Sequence, residues 1–132
     1  MSNFHVLPET LRAMAAAEID TAAGGAVRLL AIGEFLGAGV LRSQTADPKL
    51  HRQPRHEELL IVLEGEGRFQ VADEVRQVGP GDFIFVPRDA PHGIVSIEVA
   101  PLSLLSILTP QFDPARDMVW EEGAEPRTYQ MV

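Results

Sequence analysis

Three side chains in two segments about thirty residues apart carry the chemistry this chain can offer. His51 and Glu58 lie in His51-Arg52-Gln53-Pro54-Arg55-His56-Glu57-Glu58, and His92 follows Gly81-Asp82-Phe83-Ile84-Phe85-Val86-Pro87 and Pro91. Two imidazoles and one carboxylate bind a divalent transition metal on one side and leave its other positions open for substrate or dioxygen. The Gln53 amide oxygen is a fourth, weaker donor. This nitrogen and oxygen set suits Fe, Mn, Co, Ni or Zn. In extended chain, side chains two apart point the same way, so His51 and Gln53 share a face. An irregular stretch at Pro54 must then re-aim the backbone so that Glu58 joins them. Glu57 faces outward, because adjacent strand residues point to opposite faces. His56-x-Glu58 is a competing same-face pair.

Short strands must position these groups. From residue 27 onward, apolar segments separated by glycine, proline and aspartate recur at short spacing for about eighty residues, the pattern of an all-β barrel or sandwich. The strands expected are Val27–Glu34, Phe35–Gln44, Glu58–Leu63, Gly67–Val71, Glu74–Val78, Phe83–Val86, His92–Val99 and Leu102–Leu108. Glu64-Gly65-Glu66-Gly67 and Ala72-Asp73-Glu74 read as hairpin connections, and Gly79-Pro80-Gly81-Asp82 as a tight turn. Leu59 to Leu63 is apolar at every position, so both of its faces need apolar cover. Residues 8–20 open with proline and acid and continue alanine-rich, which predicts a helix. Thr21 to Ala26, with Gly24-Gly25, reads as a turn. Arg42 and Gln44 are candidate substrate contacts, and Phe83 and Phe85 candidate pocket walls. Trp120 and Tyr129 read as anchors of a C-terminal tail.

The two chemical segments resemble the two motifs of the cupin superfamily, in the small single-domain cupin 2 type. The first follows His-x-His, four residues, Glu, six residues, Gly as His51-x-Gln53, Glu58, Gly65. The second follows Gly, five residues, Pro-x-Gly, two residues, His, three residues, Asn as Gly81, Pro87-x-Asp89, His92, Ser96. Gln53 replaces an imidazole, and Asp89 and Ser96 replace glycine and asparagine. The resemblance covers about residues 26–109. It implies a double-stranded β-helix, or jelly-roll, barrel with a short N-terminal helix. Residues 1–25 would form a helical extension, 26–109 the barrel and 110–132 a tail packed on it. It also implies one mononuclear metal held by His51, Gln53, Glu58 and His92. The cupin pattern leaves the position of His56 free, which ranks that residue second as a ligand. A homodimer packing sheet on sheet is expected, in keeping with the doubly apolar Leu59–Leu63 strand.

Composition bounds the partners. The 132 residues suffice for one domain that buries most of its unfolded surface. The absence of cysteine removes thiolate ligands and disulfides. A formal charge of −8 repels a phosphate backbone, so no nucleic acid is expected as a partner. The start of the sequence lacks a basic, apolar leader, and no run is long enough for a membrane helix, so a cytoplasmic protein with no membrane partner is expected. The function expected is a metal-dependent enzyme on a small molecule, either a dioxygenase or an isomerase or lyase in which Glu58 acts as base. The alternative is a non-catalytic barrel binding a sugar or organic acid, with or without metal.

Overall fold

The computed structural model describes residues 2–17, 25–46, 49–122 and 129–132. Residues 21–24 of the expected turn Thr21–Ala26 and the last residues expected in the helix, 18–20, lie outside them, while Gly25 and Ala26 open the first strand instead of completing a turn. Helix α1 is Leu7–Ala16, with Pro8 and Glu9 in its first turn, as a fixed proline φ and the helix dipole favour. Among the described residues nine strands follow: β1 Gly25–Ile32, β2 Gly37–Ser43, β3 His51–Arg52, β4 Glu57–Val71, β5 Glu74–Val78, β6 Phe83–Val86, β7 His92–Thr109, β8 Val119–Trp120 and β9 Tyr129–Met131. A single turn of helix, α2 Pro114–Asp117, precedes β8.

The strands join in the order β5-β4-β7-β2-β1-β9, with β6 on β4 and β3 on both β7 and β8. All pairs are antiparallel except β1 with β9. This is an all-β barrel of the jelly-roll kind with one short N-terminal helix. Alternation along β4 sends Glu58, Leu60 and Val62 inward, where they meet Ile84 and Val86 of β6 and Leu104, Ser106 and Leu108 of β7. The inner apolar core is built on Leu60, Val62, Phe69, Val86, Leu102 and Leu104. A second core lies on the other side of the sheet. There α1 lays Met14, Leu7 and Leu11 against Ala26, Leu30 and Val40. The apolar side of the helix is thus a packing surface. Of the two apolar faces of Leu59–Leu63, Leu60 and Val62 join the inner core; on the other face Leu63 packs with the helix cluster, while Leu59 and Ile61 sit half-buried beside Phe85 and Phe83.

Two expected breaks are absent. The segment Glu64-Gly65-Glu66-Gly67 is not a hairpin, and Val99 to Leu102 does not separate two strands; β4 and β7 each run through as one bent strand. The reason is steric. Gly65 adopts φ +84°, and a Cβ there would overlap the Pro101 carbonyl oxygen and lie 2.8 Å from Leu102 Cα. The ladder between β4 and β7 shifts register between Val62 and Glu64, between Glu64 and Glu66, and between Glu66 and Gly67. The glycines therefore bend the barrel wall where the two backbones cross, rather than reversing the chain. Gly65→Ala is expected to cost at least about 3 kcal/mol, since it combines a strained φ with a backbone clash; urea unfolding followed by circular dichroism checks this.

Candidate functional site

The pairing of β3 with β7 sets His51 directly opposite His92, with ring centroids 4.2 Å apart. Glu58 reaches the same point from β4. Its Oε1 lies 3.0 Å from His92 Nε2, and its Oε2 accepts a hydrogen bond of 2.5 Å from Ser106 Oγ on β7. Gln53, 3 % exposed, leaves β3 through a turn in which its carbonyl accepts from the His56 and Asp89 amides. Its side-chain Oε1 is buried without a hydrogen-bond partner. His51, Gln53, Glu58 and His92 all border one cavity of about 500 Å³.

The protons of this cluster can be counted. His92 Nδ1 lies 2.9 Å from the Ala90 carbonyl oxygen, which only accepts, so Nδ1 carries a proton. Nε2 faces Glu58, whose carboxylate also only accepts. The contact therefore needs one more positive charge between the two groups, either a proton shared by Glu58 Oε1 and His92 Nε2 or a cation bound by both. Burial pushes the Glu58 carboxyl upward, but the hydrogen bonds from His92 and Ser106 and the charge of His92 outweigh it and hold it below its ordinary value. Burial, with repulsion from His92, pushes His51 down to about 3 despite the attraction of Glu58. His51 thus presents a neutral ring with a lone pair.

The donors fit a metal ion on three counts. A ligating histidine characteristically gives its other N–H to a carbonyl, as His92 does to Ala90. The buried Gln53 oxygen lacks a partner. The 3.0 Å between Glu58 Oε1 and His92 Nε2 equals the separation of adjacent donors on an octahedral ion with bonds of about 2.1 Å. Among the described residues, no three His, Asp or Glu side chains stand gathered closely enough to hold a metal ion as they are placed.

Other expected contacts fall elsewhere. His56 is buried but does not border the cavity; its Nε2 donates to the Gln111 carbonyl at 2.7 Å, and its ring meets Phe112 edge to face at 5.3 Å. Nearby, Asp117 accepts from Arg116 and the Asp113 amide and lies 3.3 Å from Arg55; the Arg116 hydrogen bond and then the amide lower its carboxyl to about 2. This cluster anchors the C-terminal segment. Arg42 Nε lies 3.7 Å from Glu64 Oε1 on the helix-covered side of the sheet, away from the cavity. Gln44 is exposed and also off the cavity. Phe83 and Phe85, which were expected as pocket walls, stand on the outer face at 61 % and 48 % exposure, because β6 turns Ile84 and Val86 inward.

The sequence reading missed Ser106 and most of the wall. A lone hydroxyl in Leu104-Leu105-Ser106-Ile107-Leu108 was the available signal for Ser106. Trp120, read as an anchor, does hold the tail by pairing β8 with β3, but it also lines the cavity 5.1 Å from the His51 ring. Phe112, Met118, Tyr129 and Met131 of the same segment line it too.

Residues 40–108 match the family model of the cupin domain. An uncharacterised protein of Methanocaldococcus jannaschii is 35 % identical over 63 residues, which is 48 % of this chain and 50 % of that protein; the match spans about half of each. Among solved structures, an RmlC-like cupin from Shewanella frigidimarina superposes with a TM-score of 0.62 at 23 % identity, over 75 % of this chain and 88 % of that one. KdgF from a Halomonas species gives 0.60 at 22 %, over 67 % and 81 %. Pac13 of Streptomyces, a nucleoside dehydratase, gives 0.58 at 17 %, over 76 % and 75 %. At these identities the likeness is one of fold.

Proposed function

The chain belongs to the cupin domain family, and on that premise we propose that it is a metal-dependent enzyme acting on a small molecule by proton transfer, an isomerase or lyase. The observation that carries this reading is the Glu58–His92 contact, in which two acceptors require one mobile positive charge between them. That places a buried carboxylate among the donors inside a cavity, where it can take up a proton, and this favours proton transfer over the dioxygenase branch. The dehydratase activity of Pac13, on a barrel of the same fold, is compatible with it as an analogy of fold alone.

His51, Gln53, Glu58 and His92 would hold one divalent transition metal, Fe, Mn, Co, Ni or Zn, which when bound supplies a Lewis acid beside a substrate oxygen. Glu58 takes a proton from the carbon next to that oxygen-bearing group and returns it, to the neighbouring carbon in an isomerisation or to a departing hydroxyl in an elimination. Ser106 donates to Oε2 and steadies the carboxylate; Oε1, the oxygen facing His92, would take the proton when it is not held by the metal. Ala90 fixes the ring of His92 by its carbonyl. The apolar walls exclude water, which keeps the proton from leaking to solvent.

Elemental analysis of protein purified without tag or chelator tests the reading. Near-stoichiometric metal is expected. The variant Gln53→His is expected to release it to a chelator about tenfold more slowly, since an imidazole is a stronger donor than an amide. A protein that takes up no metal after reconstitution yet still binds small molecules would instead be the non-catalytic barrel.

A further inference from the structure

The cavity is built from two kinds of chain. Its floor, His51, Gln53, Glu58, His92 and Ser106, lies within the residues matched by the family model. Much of its wall lies outside that match: Val27, Leu29 and Ile32 of β1, and Phe112, Trp120 and Met131 of the C-terminal segment. The six are predominantly apolar; Gln111 and Tyr129 are the polar side chains of the same part of the wall. Leu29, Ile32 and Met131 are also 45 %, 62 % and 58 % exposed, so apolar side chains that border the cavity open toward solvent. Such exposure costs free energy unless a ligand covers it.

The polar inventory narrows the ligand further. No arginine lines the cavity among the described residues, and Lys49, exposed, is its one lysine. A phosphate or polyanion would lack the forked donors that normally hold it. A sugar would bury several hydroxyls against a wall that is mostly apolar, with Gln111, Trp120 and Tyr129 its few hydrogen-bonding side chains on the C-terminal segment, at a cost for each hydroxyl left unpaired. We infer that the ligand is a neutral amphipathic small molecule, with an oxygen-bearing head at Gln53, Glu58 and His92 and an aliphatic or aromatic body laid between β1 and the C-terminal segment. This rests on the floor being the reactive end, as proposed above, and it names the substrate class of that site.

Trp120 is the chain's one tryptophan and borders the cavity, so its fluorescence reports occupancy. The experiment titrates the protein, metal-loaded and chelator-treated in parallel, with 2-alkanones from butanone to nonanone, with the fatty acids of equal length, and with glucose. Affinity for the alkanones is expected to rise about fourfold per added methylene, the gain of a buried CH₂. In Leu29→Asn and, independently, Met131→Asn, both at exposed positions, the rise per methylene is expected to flatten to less than twofold. Tighter binding of glucose or the fatty acids, or an alkanone series without slope, overturns the inference. A steep slope in protein that holds no metal upholds it while removing the metal reading, so the two fail separately.

Discussion

His92→Ala is expected to lose bound metal entirely at micromolar concentrations, a fall in affinity of at least about a hundredfold, read by elemental analysis after dialysis. The loss has two sources. One donor disappears, and Glu58 is left buried beside Ser106 without its charged neighbour. In the wild type the hydrogen bonds and charge around Glu58 hold its carboxyl below the ordinary value of 4.5, so its contribution to stability is present above that value and fades as pH falls through the lowered one. In the variant, burial is left to push the carboxyl upward, and the sign reverses. The variant is therefore expected to be about 3 kcal/mol or more less stable than wild type at neutral pH, the cost of an uncompensated buried charge, with the gap narrowing below pH 4.5. Denaturant unfolding across pH 3 to 8 checks this. His92→Gln, which keeps a hydrogen-bonding side chain beside Glu58, is expected to lose the metal while recovering part of the stability, which separates ligation from folding. In the wild type, uptake of one metal is expected to release one proton from the His92–Glu58 pair, measurable by calorimetry in buffers of different ionisation enthalpy.

Glu58→Gln carries the second large effect. It keeps the shape of the side chain and its contact with Ser106 but removes the basic oxygen. Exchange of the α-hydrogens of a bound alkanone with deuterated solvent, followed by proton NMR, is expected to fall by about a thousandfold, within the range a positioned general base supplies. Metal affinity falls too, because an amide is a poorer donor, but excess metal restores occupancy without restoring exchange. Exchange that recovers on metal addition would make Glu58 a ligand alone and remove it as the base.

The donors were legible because each is a chemical oddity in its segment. His51 and His92 are among only four histidines, and Glu58 opens an apolar run. Their meeting point follows once β3 pairs with β7. The bends at Gly65 and Gly67 were read as a hairpin because local turn chemistry cannot distinguish a chain that reverses from one that crosses another backbone; the deciding contact, Pro101, lies some thirty-five residues away. Phe83 and Phe85 were assigned inward because period-two alternation fixes which residues share a face but not which face is the interior. The wall residues were the least visible. Phe112 and Trp120 come from a segment whose contact with the cavity depends on His56 reaching the Gln111 carbonyl and on β8 pairing with His51 and Arg52, neither of which has a local pattern.

The long pairing of β4 with β7 also has a kinetic consequence. Its outermost rungs join Val71 to His92, 21 residues apart, and Glu57 to Thr109, 52 residues apart, so even the nearer rung closes a loop of some twenty residues. Barrels dominated by such distant contacts fold in milliseconds to seconds, and the rung between His51 and His92 has no counterpart in the unfolded chain. A metal or ligand that binds there would therefore meet its site only after the barrel has closed, and it would act as a brake on unfolding, by mass action on the native state, rather than as a nucleus for folding.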